Sequence, residues 1–176
     1  SLRKGFVSHA TGVGSGDVET VIEFHSGGTS KLIAAGGGAL YGATAEGAAS
    51  SLTTGLSNDR WQGFNFAGKL ALMNGADAPK TFDGSSVAGM TVSGTGLTTS
   101  HLIGGGAYKA RTFFFEKSDG TNPRAFWYSG VNTLGGTLTK FALDTVVQTG
   151  GHIVAMEAWS RDGGAGPDDF LAFFMS

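Results

Sequence analysis

Apolar residues recur along this chain in short bursts, and each burst is closed by a turn signal. Val18 to Phe24 alternates, with Val18, Thr20, Ile22 and Phe24 on one face and Glu19, Val21 and Glu23 on the other. That is the period of a half-buried strand. Gly27-Gly28 then marks a turn, Lys31 to Ala35 a strand, Gly36-Gly37-Gly38 a turn, and Ala39 to Thr44 a third strand. The clearest stretch runs from Trp61 to Gly84. Phe64-Asn65-Phe66 opens it, Lys69 to Met73 ends at Asn74-Gly75, and Pro79 to Phe82 ends at Asp83-Gly84. Asn-Gly and Asp-Gly readily take positive φ at both centres of a tight hairpin turn. A third set comprises Leu102 to Tyr108, Arg111 to Glu116 with three consecutive Phe, a Ser118-Asp119-Gly120 turn, and Ala125 to Ser129. A fourth comprises Ile153 to Trp159, an Asp/Gly-rich loop, and the closing run Phe170 to Met175.

These sets define units at about 18–60, 61–100, 101–150 and 151–176 within a single all-β domain. Each has clear strands, and small polar segments (45–60, 84–100, 130–150) supply a weaker fourth. The second strands align at Lys31, Lys69, Arg111 and Asp169; the first two intervals are near the ~40 residues of a four-stranded propeller blade, and the last is longer. A small sheet cannot bury its apolar face alone, and repetition around an axis solves this. The expected fold is a β-propeller or propeller fragment of about four small antiparallel sheets, with a β-sandwich as the alternative. The apolar run Phe170–Met175 at the end suggests the N-terminal part of a longer protein.

Composition supports the strand reading. With 31 Gly and 15% charged residues, against roughly 25% in ordinary domains, the chain lacks the material for long surface helices. The net charge is −2 and no basic stripe is present, which argues against a nucleic-acid binder acting by phosphate neutralisation. Cysteine is absent, which removes disulfides and thiolate metal sites from consideration. No apolar run approaches the ~20 residues of a membrane helix.

Candidate chemistry is sparse. Asp162, Asp168 and Asp169 share a Gly-rich loop with Ser160. Oxygen ligands so spaced suit Ca²⁺, but the EF-hand pattern is missing and a solvated hairpin loop explains the same residues. Ser160-Arg161-Asp162-Gly163-Gly164 partly resembles the Asp-box turn of sialidase-type propellers, with Gly166 and Pro167 where that turn has Thr and Trp. Glu116 and Glu157 lie in aromatic strands, where burial would favour a glycosidase acid; the plainer reading points both out of their sheets. Ser8-His9 and Ser100-His101 lack a nucleophile elbow. Gly12, Gly14 and Gly16 lack the strand and Lys-Ser/Thr of a phosphate loop and read as a flexible turn. Trp61, Trp127 and Trp159 suit either a sugar-binding surface or the core. No cofactor and no enzymatic activity are expected.

Several short motifs together resemble a known family. They are Leu2-Arg3-Lys4-Gly5-Phe6, Trp61 before an aromatic strand, and Asn74-Gly75-x-Asp77-x-Pro79-x-x-Phe82-Asp83-Gly84. Then follow Tyr108-Lys109-x-Arg111-x-Phe113, Trp127-Tyr128-Ser129 and Trp159-Ser160-x-Asp162-Gly163-Gly164 with Asp168-Asp169. The series is similar to tailed-phage and prophage virion proteins, the packaged-DNA stabilisation and tail-hub proteins of short-tailed phages, some of which are β-propellers. The resemblance implies a structural role in a phage tail or head–tail junction, location in the virion, and synthesis in the bacterial cytoplasm. It implies portal, connector or tail subunits as partners, a homo-oligomer in the particle, and passive contact with passing DNA. It carries no catalytic residues. The alternative is a propeller that binds or cleaves glycans during host adsorption.

Overall fold

The computed structural model describes residues 5, 7–148, 150–162 and 167–176, with the side chains of Asp162 and Pro167 excepted. The protein is all-β and is built of small antiparallel sheets, none of which closes on itself. The first sheet comprises β1 (Thr20–Ser26), β2 (Thr29–Gly36), β3 (Ala39–Gly42) and β4 (Ser50–Thr54). The second comprises β5 (Gln62–Phe66), β6 (Lys69–Met73), β7 (Lys80–Phe82) and β8 (Val87–Gly89). The third comprises β9 (Leu102–Tyr108), β10 (Arg111–Glu116), β11 (Ala125–Tyr128) and β12 (Thr139–Ala142). Each is a meander whose strands pair in chain order. A two-stranded hairpin follows, β13 (Ile153–Asp162) with β14 (Pro167–Met175).

The apolar periodicity explains how the sheets stack. In β6 successive side chains point to opposite faces. Leu70 and Leu72 join a core with Phe24, Ile33, Leu40 and Trp61 of the first sheet and its linker. Ala71 and Met73 join a second core with Leu102, Phe114 and Trp127 of the third sheet. Both faces of β6 are therefore buried, so it reads as a continuous apolar run. The third core sets Phe115 of β10 against Ile153 and Met156 of β13, with Leu171, Phe173 and Met175 of β14 packed around them.

Hydrogen bonds tie the first strand of a sheet to the sheet before it. Asn65 of β5 accepts from the His25 N–H at 3.0 Å and donates to the Glu23 carbonyl at 3.1 Å. The Gly75 N–H donates to the Leu102 carbonyl at 2.9 Å. Glycines admit the close approach between β5 and β9. A Cβ on Gly104 would sit 2.7 Å from Gln62 Oε1, and one on Gly105 would sit 3.1 Å from the Phe64 ring.

The turns depart from expectation. Asn74-Gly75 and Asp83-Gly84 do not form tight two-residue hairpins, because only the glycine of each takes positive φ. Instead the Asn74 side chain accepts from the Ala76 and Asp77 N–H groups, and the Asp83 carboxylate accepts from those of Ser85 and Ser86. Asx side chains that mimic the backbone in this way make longer loops. Turns with positive φ at both centres lie elsewhere, at Gly27-Gly28, Gly37-Gly38, Ala67-Gly68 and Lys109-Ala110. Three of these four join the first and second strands of their sheets.

Two short parallel pairs were invisible in the sequence. Ala10-Thr11 pairs with Gly47-Ala48, and Val92-Ser93 pairs with Gly136-Thr137. In both, the segment leading into a sheet runs beside the connection between that sheet's third and fourth strands. The Gly12–Gly16 segment, read from sequence as a flexible turn, packs on a hairpin end. A Cβ on Gly14 would lie 2.4 Å from the Gly36 carbonyl oxygen.

Candidate functional site

The β13–β14 hairpin carries the most unusual surface of the molecule. Its inward face is the third core. Register pairs Trp159 with Phe170, Glu157 with Ala172 and Ala155 with Phe174, so these side chains share the outward face. Trp159 is 57% exposed, Phe170 41%, Phe174 48% and Val154 50%. Large aromatic groups at that exposure, lying together, form an apolar patch of the kind that contact surfaces use.

At one end of the hairpin a cleft of about 340 Å³ opens between the third sheet and the hairpin, lined by Tyr108, Lys109, Trp159, Ser160 and Asp169 among others. The Lys109-Ala110 turn places Lys109 at its rim, with Nζ 5.2 Å from the Tyr108 ring centroid. Ser160 Oγ donates to Asp169 Oδ1 at 2.6 Å, and the Tyr108 hydroxyl donates to the Asp169 carbonyl. These bonds fix the polar wall of the cleft.

The three tryptophans separate. Trp61 and Trp127 are buried in the first and second cores, and their indole N–H groups have no acceptor among the described residues. Trp159 alone of the three is open to solvent. The acidic candidates separate as well. Asp168 and Asp169 lie in β14 and not in a loop, and as adjacent strand residues they point to opposite faces. The side chain of Asp162, and residues 163–166 of the Asp-box-like turn, lie outside the described residues. Among the described residues no group of three or more His, Cys, Asp or Glu is placed to hold a metal ion.

Glu157 lies exposed on the outward face. Glu116 reverses the plainer expectation, since it is fully buried. Its Oε2 accepts from the Asn122 N–H at 2.7 Å and lies 3.9 Å from His101 Nδ1, while Oε1 has no hydrogen-bond partner among the described residues. The Thr121 N–H donates to His101 Nδ1 at 3.3 Å. Glu116 and His101 thus hold the 117–122 loop against the sheet. The serine–histidine contacts are ones that sequence adjacency did not suggest. Ser30 Oγ lies 3.0 Å from His25 Nδ1, and Ser176 Oγ lies 3.0 Å from His152 Nδ1, all at exposed positions. His9 Nε2 instead lies 3.2 Å from the Thr44 carbonyl.

A carboxylate network secures the linker between the first two sheets. Asp77 accepts from the Ser57 N–H through both oxygens, at 2.9 and 3.1 Å, and from Asn74 Nδ2 at 2.7 Å. Partial burial pushes the Asp77 pKa up, but the bonds from the Asn74 side chain and the Ser57 backbone outweigh it and hold the group below its ordinary value. Asp83 is also lowered, by the backbone N–H groups of Ser86 and Ser85. Asp77 and Asp83 are therefore loop-fixing groups. No family model, curated protein or solved structure matches the chain.

Proposed function

We propose that the chain is a structural component of a phage tail or head–tail junction, of the hub, nozzle or DNA-retention type, acting through protein–protein assembly. The observation that carries the reading is the outward face of the β13–β14 hairpin, where Trp159, Phe170, Phe174 and Val154 stand exposed together. Such a face suits permanent contact with a neighbour. The sheets serve as blades of a propeller or propeller fragment. Their meander order, their face-to-face cores and the ties from first strands to the preceding sheet support blades over the two continuous layers of a sandwich.

The particle itself comes from the motif resemblance, from Leu2-Arg3-Lys4 through Asp168-Asp169. On this reading the partners are portal, connector or tail subunits and further copies of the chain, and the location is the virion. The weakly acidic balance suits a conduit that DNA passes without binding, since a basic lining would hold phosphate. Deleting the gene from the phage or prophage that carries it tests the proposal. Particles without tails, or particles that lose their packaged DNA, are expected; normal infectious particles would refute it.

A second reading has its own observation. Trp159 stands open beside Tyr108, Lys109, Ser160 and Asp169 in the 340 Å³ cleft. An aromatic face with hydroxyl and carboxylate groups beside it suits a sugar ring. A glycan array separates the readings: binding to bacterial surface polysaccharide that Trp159→Ala abolishes favours adsorption, and no binding removes it.

A further inference from the structure

We infer that Asn74-Gly75 is a self-modifying site, held inactive by the contact between the second and third sheets. Of the five asparagines, Asn74 alone precedes a glycine. Glycine has no Cβ to shield its nitrogen, so Asn-Gly is the dipeptide in which a backbone nitrogen most readily attacks the side-chain amide before it. The Gly75 nitrogen gives up its proton to solvent and bonds to Asn74 Cγ. The Cγ–Nδ2 bond breaks, and the amide nitrogen takes a proton from solvent and leaves as ammonia. Water then opens the five-membered imide at either carbonyl, giving aspartate or isoaspartate. Water is the only co-reactant.

The loop does not itself shield the amide. Asn74 Oδ1 accepts from the Ala76 N–H at 3.1 Å and the Asp77 N–H at 2.8 Å, and two donors on that oxygen stabilise the charge that develops there during attack. Nδ2, the group that leaves, donates to Asp77 Oδ2 at 2.7 Å and to the Asn58 carbonyl at 2.8 Å. What is withheld is the nucleophile. The Gly75 N–H donates to the carbonyl of Leu102, the first residue of β9, at 2.9 Å. The Ile103 side chain covers Gly75, so that a Cβ there would lie 3.4 Å from it, and Asn74 is only 2% exposed. A backbone N–H bonded in this way exchanges its proton only when the structure opens locally. Parting of β9 from the loop frees the nitrogen and leaves the bonds within 74–77 intact. The product does not fit back. An oxygen replaces Nδ2 and meets the Asp77 carboxylate and the Asn58 carbonyl with no proton to donate, so like charges oppose reclosure. One opening thus leaves a permanent mark.

Peptide mapping by mass spectrometry reads the exchange of amide for acid at Asn74 during incubation at neutral pH. Where reclosing is fast, the rate follows the population of the open form, so the native chain is expected to convert at least roughly a hundredfold more slowly than the same chain in guanidinium chloride. A Cβ on Gly105 collides with the Phe113 carbonyl and crowds the Phe64 ring of β5, whereas one on Gly106 meets nothing. Gly105→Ala is therefore expected to convert at least roughly tenfold faster than the parent, and Gly106→Ala at the parental rate. Ile103→Ala, which strips the cover from Gly75 without a clash, is expected to match Gly105→Ala and replaces it if that chain does not fold. Asn74→Asp, which installs the product carboxylate, is expected to unfold at lower denaturant than the parent. Equal rates in the native and unfolded chains, or parental rates in both Gly105→Ala and Ile103→Ala, would overturn the inference; an Asn74→Asp chain as stable as the parent would overturn its one-way step. None of these outcomes depends on the assembly reading above.

Discussion

Gly105 and Gly106 are adjacent in β9, and the structure assigns them opposite tolerances. A Cβ on Gly105 would lie 2.2 Å from the Phe113 carbonyl oxygen, 3.3 Å from its carbon and 3.1 Å from the Phe64 ring. The first two are backbone atoms of the neighbouring strand and cannot rotate away. A Cβ on Gly106 meets nothing within 4 Å. Overpacking costs typically 1–3 kcal/mol where side chains can yield, so Gly105→Ala, opposed by backbone, should cost about 3 kcal/mol. Gly106→Ala should gain about 0.5 kcal/mol by restricting the unfolded chain. At roughly 2–4 °C per kcal/mol for a chain of this size, Gly105→Ala lowers Tm by about 6–12 °C and Gly106→Ala raises it by about 1–2 °C. Urea unfolding followed by tryptophan fluorescence reads both, since Trp61 and Trp127 are buried in the two cores that flank the second sheet. Equal effects from the two substitutions would refute the close approach of β9 to β5 and β10, and with it the stacking of the second and third sheets.

Other consequences follow from the turns, the linker and the cleft. Ala67 and Ala110 hold φ of 49° and 60°, a region that costs a non-glycine residue about 1–2 kcal/mol. Ala67→Asn, which makes an Asn-Gly turn, and Ala110→Gly should each stabilise by about 0.5–1 kcal/mol in thermal unfolding; a loss of stability in both would refute the turn assignment. Asp77→Ala removes the acceptor for Ser57 and leaves the buried Asn74 amide short of a partner, a loss of about 1–3 kcal/mol at pH 7. Because the folded Asp77 pKa lies below its unfolded value of 3.8, its contribution is complete above that value and is lost as pH falls through the folded pKa. The deficit of Asp77→Ala should therefore shrink below about pH 4, and a deficit constant from pH 7 to pH 2 would show that Asp77 is not the anchor. Trp159→Ala should leave the unfolding free energy within about 0.5 kcal/mol of the parent, as surface positions do; a collapse of the fold would show that Trp159 is core and not surface.

What the sequence made legible follows from physical periods. Alternation in Val18–Phe24 and the apolar run Lys69–Met73 identified strands because burial on one face, or on both, imposes those patterns. The turn residues misled where one dipeptide serves two geometries. Asn74 and Asp83 bond forward with their own side chains, while Lys109-Ala110 makes a tight turn from residues that carry no turn signal. The parallel pair at Ala10-Thr11 and the packing of Gly14 on Gly36 depend on partners more than 20 residues distant, and no local pattern encodes them. For the surface, the sequence named all three tryptophans equally. Only the stacking of the sheets buries Trp61 and Trp127 and leaves Trp159 beside Phe170. Glu116 went the other way, because its burial depends on the 117–122 loop folding over it.

The central claim, assembly of this chain into a tailed particle through the outward face of its last hairpin, is tested most directly by quantitative mass spectrometry of purified particles. Particles made with the natural chain are compared with particles made with a Phe170→Lys, Phe174→Lys double variant whose circular dichroism is unchanged. The account predicts a fixed copy number of the natural chain per particle and loss of the variant from particles. Absence of the natural chain from particles, or equal incorporation of the variant, would contradict it.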